Sequence, residues 1–221
     1  MTGKSTFNPN IQTLRGLSVL LVIFYHFFDF PKTGGALGVG VFFCVSGYVI
    51  TNVLIYEFSR NQKVNILNFY LRRAKRLLPV LFLVLLLTSL IFFCISKFTF
   101  IEVPLSQMLY SSLVGAFYLG NIYGFLGLGS SDLFLPIAHF WSLAVEEQFY
   151  LVYPIAIVAI LKKTKRSQIW LFAFLILSSI IFQVLSSFAH VTIWTLPITY
   201  LETLGFGCIW AIVNSRRLIN I

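Results

Sequence analysis

Six stretches of the chain, near residues 14–30, 37–57, 77–96, 141–161, 168–188 and 193–213, are apolar over lengths that suit a membrane. Roughly 17–25 apolar residues in a helix cross about 30 Å of hydrocarbon. Inside that medium each backbone N–H and C=O must find its partner within the protein, which a helix provides. Composition agrees: hydrophobic residues make up 58% and charged residues 10%, against about 25% charged in a soluble domain. The expected fold is an all-α, multi-pass transmembrane bundle, forming one domain over residues 1–221.

The net charge of +9 would suggest nucleic acid in a soluble protein. Here the basic residues gather between the apolar runs, at Arg60 to Arg76, Lys162 to Arg166 and Arg216–Arg217. That pattern reads as topology, with basic loops on the cytoplasmic side, and no nucleic-acid partner is expected. Placing Lys4 and Arg15 inside makes the Arg60–Arg76 connection cytoplasmic as well. A full crossing by the less regular run 104–126 would push Lys162, Lys163, Lys165 and Arg166 outside. A re-entrant or interfacial 104–126 removes the conflict, and Gly115, Gly120, Gly124, Gly127 and Gly129 suit a broken helix there. The expectation is six net crossings with both termini cytoplasmic. The first run holds Arg15 and has no small-residue cleavage site, so it reads as a retained span. Cys44, Cys94 and Cys208 all fall in apolar runs, an odd number at wide spacing. They read as buried structural thiols, with no disulfide framework and no metal site.

Ionisable side chains inside a span cost about 2.5–3.5 kcal/mol each at the helix centre, so each asks for a reason. Arg15 and His26 lie eleven residues apart in the first run. Eleven helical steps return to within about 20° of the same face and rise about 16 Å. Arg15 is either a snorkelling edge residue or a functional cation. His26 is either a hydrogen-bonded packing residue or a base. Asp29, three residues on, is placed to orient the imidazole or to be a solvated loop carboxylate. In the second run, Ser46 and Gly47 suit close helix contact. In "FYLRRAKRLLP", Pro79 reads as opening the third span. Arg73 and Arg76 either anchor the chain to anionic lipid or bind phosphates. In "HFWSLAVEEQFYLVYP", Glu146 shares a helical face with Ser142 and Tyr150, and a carboxylate there should face the bundle interior. It could pair with an arginine or position a base. Trp141 and Tyr153 read as interfacial anchors. Glu202 is the last intramembrane acid, in a run made irregular by Pro197, Gly205 and Gly207.

Taken in order, these pieces resemble acyltransferase family three, the bacterial multi-pass transferases that O-acylate extracytoplasmic glycans. The family's arginine–ten residues–histidine motif matches Arg15 and His26. Its FF-x-x-SG-Y/F element matches Phe42, Phe43, Ser46, Gly47 and Tyr48. Its R-x-x-R-x-x-P element matches Arg73, Arg76 and Pro79. Its W-S-L-x-x-E-x-Q-F-Y-L-x-x-P element matches Trp141, Ser142, Leu143, Glu146, Gln148, Phe149, Tyr150 and Pro154. Two departures are visible. Gly40 stands where the family often has aspartate, and Thr199 replaces the arginine three residues before Glu202.

The resemblance implies transfer of an acyl group, acetyl being the expected one, from cytoplasmic acyl-CoA to a hydroxyl of a cell-surface polysaccharide or glycolipid. It implies no permanently bound cofactor. It places the chain in the bacterial cytoplasmic membrane, in contact with lipid. Arg73 and Arg76, with Arg15, would meet the nucleotide phosphates. His26 would act as general base or transient acyl carrier, and Glu146 would pair with an arginine or orient the site. Ser46, Tyr48, Ser142, Gln148 and Glu202 would be motif residues of the substrate region. The family domain usually carries more spans than these, so residues 1–221 correspond to its N-terminal two-thirds. That implies a truncated form, or one completed by a second chain. Two rival readings stand beside it: a proton-coupled transporter or channel subunit, since intramembrane Arg, His and Glu also build ion pathways, and an inactive truncated family member.

Overall fold

The computed structural model describes residues 9–28, 33–98, 104–126, 140–189, 193 and 195–219. Among them the regular elements are helical: α1 (Pro9–Phe28), α2 (Gly34–Asn61), α3 (Ile66–Phe98), α4 (Leu105–Ala116), α5 (Gly120–Phe125), α6 (Trp141–Leu161), α7 (Lys165–Phe188) and α8 (Leu201–Ile219), with a 3-10 turn at Pro197–Tyr200. Five of these, α1, α2, α3, α6 and α7, are long and apolar enough to cross a membrane. The protein is a helical membrane bundle.

The expected sixth span, 193–213, takes a different form. Pro197 opens a 3-10 turn and α8 begins only at Leu201. With Glu202 in its first turn and Asn214 to Arg217 near its end, α8 is not among the five helices apolar enough to cross. The run 104–126 is broken, as its glycines suggested. At 12 residues, α4 is about 18 Å long, short of the roughly 30 Å of hydrocarbon. The break itself falls at Tyr118, a non-glycine residue at φ 53°. Gly127 and Gly129 lie outside the described residues, as do Lys4, Asp29 and Lys32.

Two prolines lie inside helices. Pro79 does not open a helix: α3 starts at Ile66 and runs through it. The missing N–H leaves the Lys75 carbonyl without its intrahelical donor. Pro154 does the same to the Tyr150 carbonyl within α6. At the neighbouring position, the Tyr70 hydroxyl donates to the Leu151 carbonyl.

The chain divides into two compact units. The first comprises residues 1–64, 153–189 and 198–221. Within it α2 packs on α1 and on α8, and α8 packs on α7. Glycines set the spacing. A Cβ added at Gly38 would lie 2.6 Å from the Ser18 carbonyl oxygen on α1. A Cβ at Gly47 would strike the Leu204 carbonyl, and one at Gly207 would strike the Cys44 carbonyl. The α2–α8 contact is therefore backbone against backbone, the small-residue packing suggested for Gly47. Cys208 is fully buried in this seam, whereas Cys94 is exposed, contrary to the expectation of a buried thiol.

The second unit comprises residues 65–152 and 190–197. Here α3 packs on α4 and α4 on α5. Leu81, Leu85, Val114 and Tyr123 form its apolar core. Thr195 packs its methyl against Gly124, where an added Cβ would lie 3.3 Å away.

Candidate active site

The predicted residues divide between the two units. Arg15, His26, Ser46, Tyr48 and Glu202 belong to the first; Arg73, Arg76, Ser142, Glu146 and Gln148 belong to the second.

On α1, Arg15 is half-buried and lies over the Phe42 ring, with 5.1 Å from guanidinium carbon to centroid. Phe42 comes from the FF-x-x-SG element, so two of the four motifs meet. A guanidinium held on an aromatic face gains cation–π attraction while its edge stays available for hydrogen bonds. His26 is exposed, and its Nδ1 lies 2.7 Å from the Val22 carbonyl oxygen one turn back. That carbonyl can only accept, so Nδ1 carries a proton. A backbone bond of this kind selects the tautomer and fixes the ring. The possible orienting role of Asp29 lies outside the described residues.

Ser46 is buried and Tyr48 half-buried, on α2 beside the seam with α8. Glu202 accepts a hydrogen bond of 3.1 Å from Gln183 Nε2, whose amide also donates to the Thr199 carbonyl. Gln183 was not singled out in the sequence. It is a polar residue in an otherwise apolar span, which was the available signal.

The second unit gathers its polar residues more tightly. Arg73 Nε donates to Glu147 Oε2 at 3.0 Å, and Nη2 donates to Glu147 Oε1. The guanidinium carbon sits 3.4 Å from the centroid of the Tyr150 ring. The carboxylate recorded on Arg73 is that of Glu147, the neighbour of the motif acid Glu146. Glu146 is the more deeply buried of the two, at 4% exposure, and adds to the negative field at Arg73. Arg73 and Arg76, expected to act together, differ. Arg73 is half-buried in a cleft and Arg76 is exposed.

That cleft has a volume of about 240 Å³ and is lined by Tyr70, Arg73, Leu77, Tyr118, Glu147 and Tyr150, among others. Its Tyr118 wall comes from the break between α4 and α5. There Gln148 Nε2 donates 2.9 Å bonds to the Tyr118 carbonyl and to Asn121 Oδ1, while Asn121 Nδ2 donates to Gln148 Oε1. Asn121 is fully buried. The motif glutamine thus pins the broken segment to α6. Ser142 is half-buried at the start of α6.

Among the expected interfacial anchors, Tyr153 is instead buried in the first unit, with its hydroxyl 2.6 Å from Thr51 Oγ1. Thr51 Oγ1 also donates to the Gly47 carbonyl at 2.7 Å. A hydroxyl has one proton, so in the Tyr153–Thr51 bond the phenol is the donor.

Comparison with known proteins identifies the family. The chain is 35% identical to the O-acetyltransferase OatA of Staphylococcus aureus strain NCTC 8325 over 93% of its own length and 34% of the relative's. OatA of strain MRSA252 gives the same figures. A protein of strain MSSA476, provisionally named as an O-acetyltransferase, is 33% identical over 74% of this chain and 27% of its own. The chain therefore spans about a third of the length of the curated relatives it matches. No solved structure matches it. The family model described as an acyltransferase domain covers residues 8–220, and the chain belongs to that family.

Proposed function

We propose that this chain is the membrane-embedded part of an O-acetyltransferase that moves an acetyl group from acyl-CoA to a hydroxyl of a cell-surface polysaccharide or glycolipid. The observation that carries the reading is His26, an imidazole on an apolar helix whose Nδ1 donates to the Val22 carbonyl, so that base chemistry falls to Nε2. Arg15, on the same helix, supplies the cation of the paired motif.

The step balances without a metal or redox group. Nε2 of His26 takes the proton of the acceptor hydroxyl as its oxygen attacks the thioester carbonyl. The C–O bond forms, the C–S bond breaks, and the departing thiolate takes the proton from the imidazolium. Acyl-CoA enters from the cytoplasmic side of the bacterial inner membrane, and the termini lie on that side. A second chain, or further helices, would complete the bundle.

The test is expression of the chain, alone and within its full-length gene context, in cells lacking their own glycan O-acetylation. Ester-linked acetate on the isolated glycan is then measured. Wild type should restore it, whereas His26→Ala and His26→Asn should not, with equal amounts of protein in the membrane. The asparagine keeps a donor for the Val22 carbonyl but offers no base. Acetylation retained by His26→Asn would end the general-base role.

A further inference from the structure

The two arginines of the R-x-x-R element are not equivalent. Arg73 uses its Nε–Nη2 edge on both oxygens of Glu147, and its face on the Tyr150 ring. That edge is the fork with which arginine reads a phosphate bidentately. Here it is already occupied. Glu147 also cancels the guanidinium charge, and both side chains are largely buried, at 16% and 13% exposure. A phosphate brought into the cleft would meet a carboxylate among Leu77, Leu78 and Ala74, where repulsion is poorly screened. What the pair still offers is Nη1, the donor not engaged by Glu147, in an aromatic-walled, charge-compensated pocket. That suits an uncharged carbonyl oxygen. Arg76 is exposed and outside the described lining of the cleft.

We propose that Glu147 is the positioning residue that holds Arg73 flat on Tyr150, and that this trio receives the uncharged amide–thioester arm of the acyl donor while its phosphates meet exposed cations such as Arg76. The proposal rests on the acyl-donor reading above. It does not follow from the motif: in W-S-L-x-x-E-x-Q the conserved-type acid is Glu146, and Glu147 occupies an unspecified position. Only the geometry selects it.

The experiment measures binding to the full chain in nanodiscs with three probes: acetyl-CoA, S-acetylpantetheine (the arm without the nucleotide) and 3′,5′-ADP (phosphates without the arm). Glu147→Gln, which keeps shape and loses charge, should weaken S-acetylpantetheine by about tenfold, the effect of a misplaced charged donor, with little change for 3′,5′-ADP. Glu147→Asp should recover part of the loss. Arg76→Ala should weaken 3′,5′-ADP more than S-acetylpantetheine. Thermal unfolding is followed in parallel. A purely structural pair would lower the melting temperature of Glu147→Gln and leave the ratio of the two probe affinities unchanged, which overturns the proposal. Tighter acetyl-CoA binding by Glu147→Gln overturns it too, since Glu147 would then only be repelling phosphate. If the unaltered chain binds none of the probes, the acyl-donor reading falls and this assignment with it. Binding of all three with an unchanged ratio in Glu147→Gln removes the assignment alone.

Discussion

Asn121 and Gln148 exchange two side-chain amide bonds of 2.9 Å each, one in either direction. The pair joins a six-residue helix, too short to hold itself, to the middle of a motif on α6. A primary amide has one carbonyl and two N–H groups, so this reciprocal pairing leaves Gln148 a second proton. It goes to the Tyr118 carbonyl. One residue thereby fixes both sides of the break.

Gln148→Ala strands a fully buried asparagine. The cost should be about 1–3 kcal/mol for each orphaned polar group, with faster proteolysis between α4 and α5. Asn121→Leu combined with Gln148→Leu should cost less than the sum of the single changes, because neither partner is then left unpaired. Thermal unfolding in detergent with a double-mutant cycle gives the coupling; simple additivity would rule out the pairing.

The glycine seam makes a contrast within one fold. Gly47→Ala and Gly207→Ala each drive a methyl into a facing backbone carbonyl. Backbone cannot rotate away as a side chain can, so each should cost at least the roughly 1–3 kcal/mol typical of overpacking. Gly16 on α1 has nothing within 4 Å of an added Cβ. Gly16→Ala should be neutral or stabilising by no more than about 1 kcal/mol. Unfolding measurements that ranked the three alike would contradict the α2–α8 contact.

Tyr118 separates stability from binding. Its φ of 53° places an L-residue in the left-handed region, at about 1–2 kcal/mol. Tyr118→Gly relieves that strain and deletes one wall of the cleft. Its melting temperature should hold or rise, while the KM for the acyl donor proposed to bind in that cleft increases. Tyr118→Val also loses the ring but is β-branched and tolerates this backbone worst, so it should unfold first. A glycine variant with unchanged donor KM would remove Tyr118 from the binding surface.

Much of this was legible in the sequence because it depends on spacing along one helix. The apolar runs gave the five spanning helices, the eleven-residue interval placed Arg15 and His26 on one stripe, and the glycines marked both the seam and the broken segment. What stayed hidden depends on which face of one helix meets which face of another. Glu146 and Glu147 are adjacent, and periodicity alone cannot say which acid α6 presents to Arg73. Pro79 read as a helix start because proline favours first turns. It lies inside a helix because polar Asn68 to Arg76, which resembled a loop, continue the same α3. Tyr118 carried no signal, since nothing about tyrosine announces a positive φ.

The hydroxyl chain behind the seam supplies a last prediction. Tyr153 donates to Thr51, and Thr51 donates to the Gly47 carbonyl, all within buried surroundings. The two ends of this chain are not equivalent. Tyr153→Phe removes a donor and leaves Thr51 still bonded to the carbonyl, so the loss should be near the roughly 1 kcal/mol of a typical hydrogen bond. Thr51→Val removes the acceptor from a buried phenol and the donor from the Gly47 carbonyl together. It should therefore cost more, about 2–3 kcal/mol. The double variant should be no worse than Thr51→Val alone, because the bond between the two hydroxyls is already lost in that single change. Unfolding of the three variants in the same detergent decides it. A larger loss for Tyr153→Phe than for Thr51→Val would reverse the direction of donation argued from the threonine's single proton.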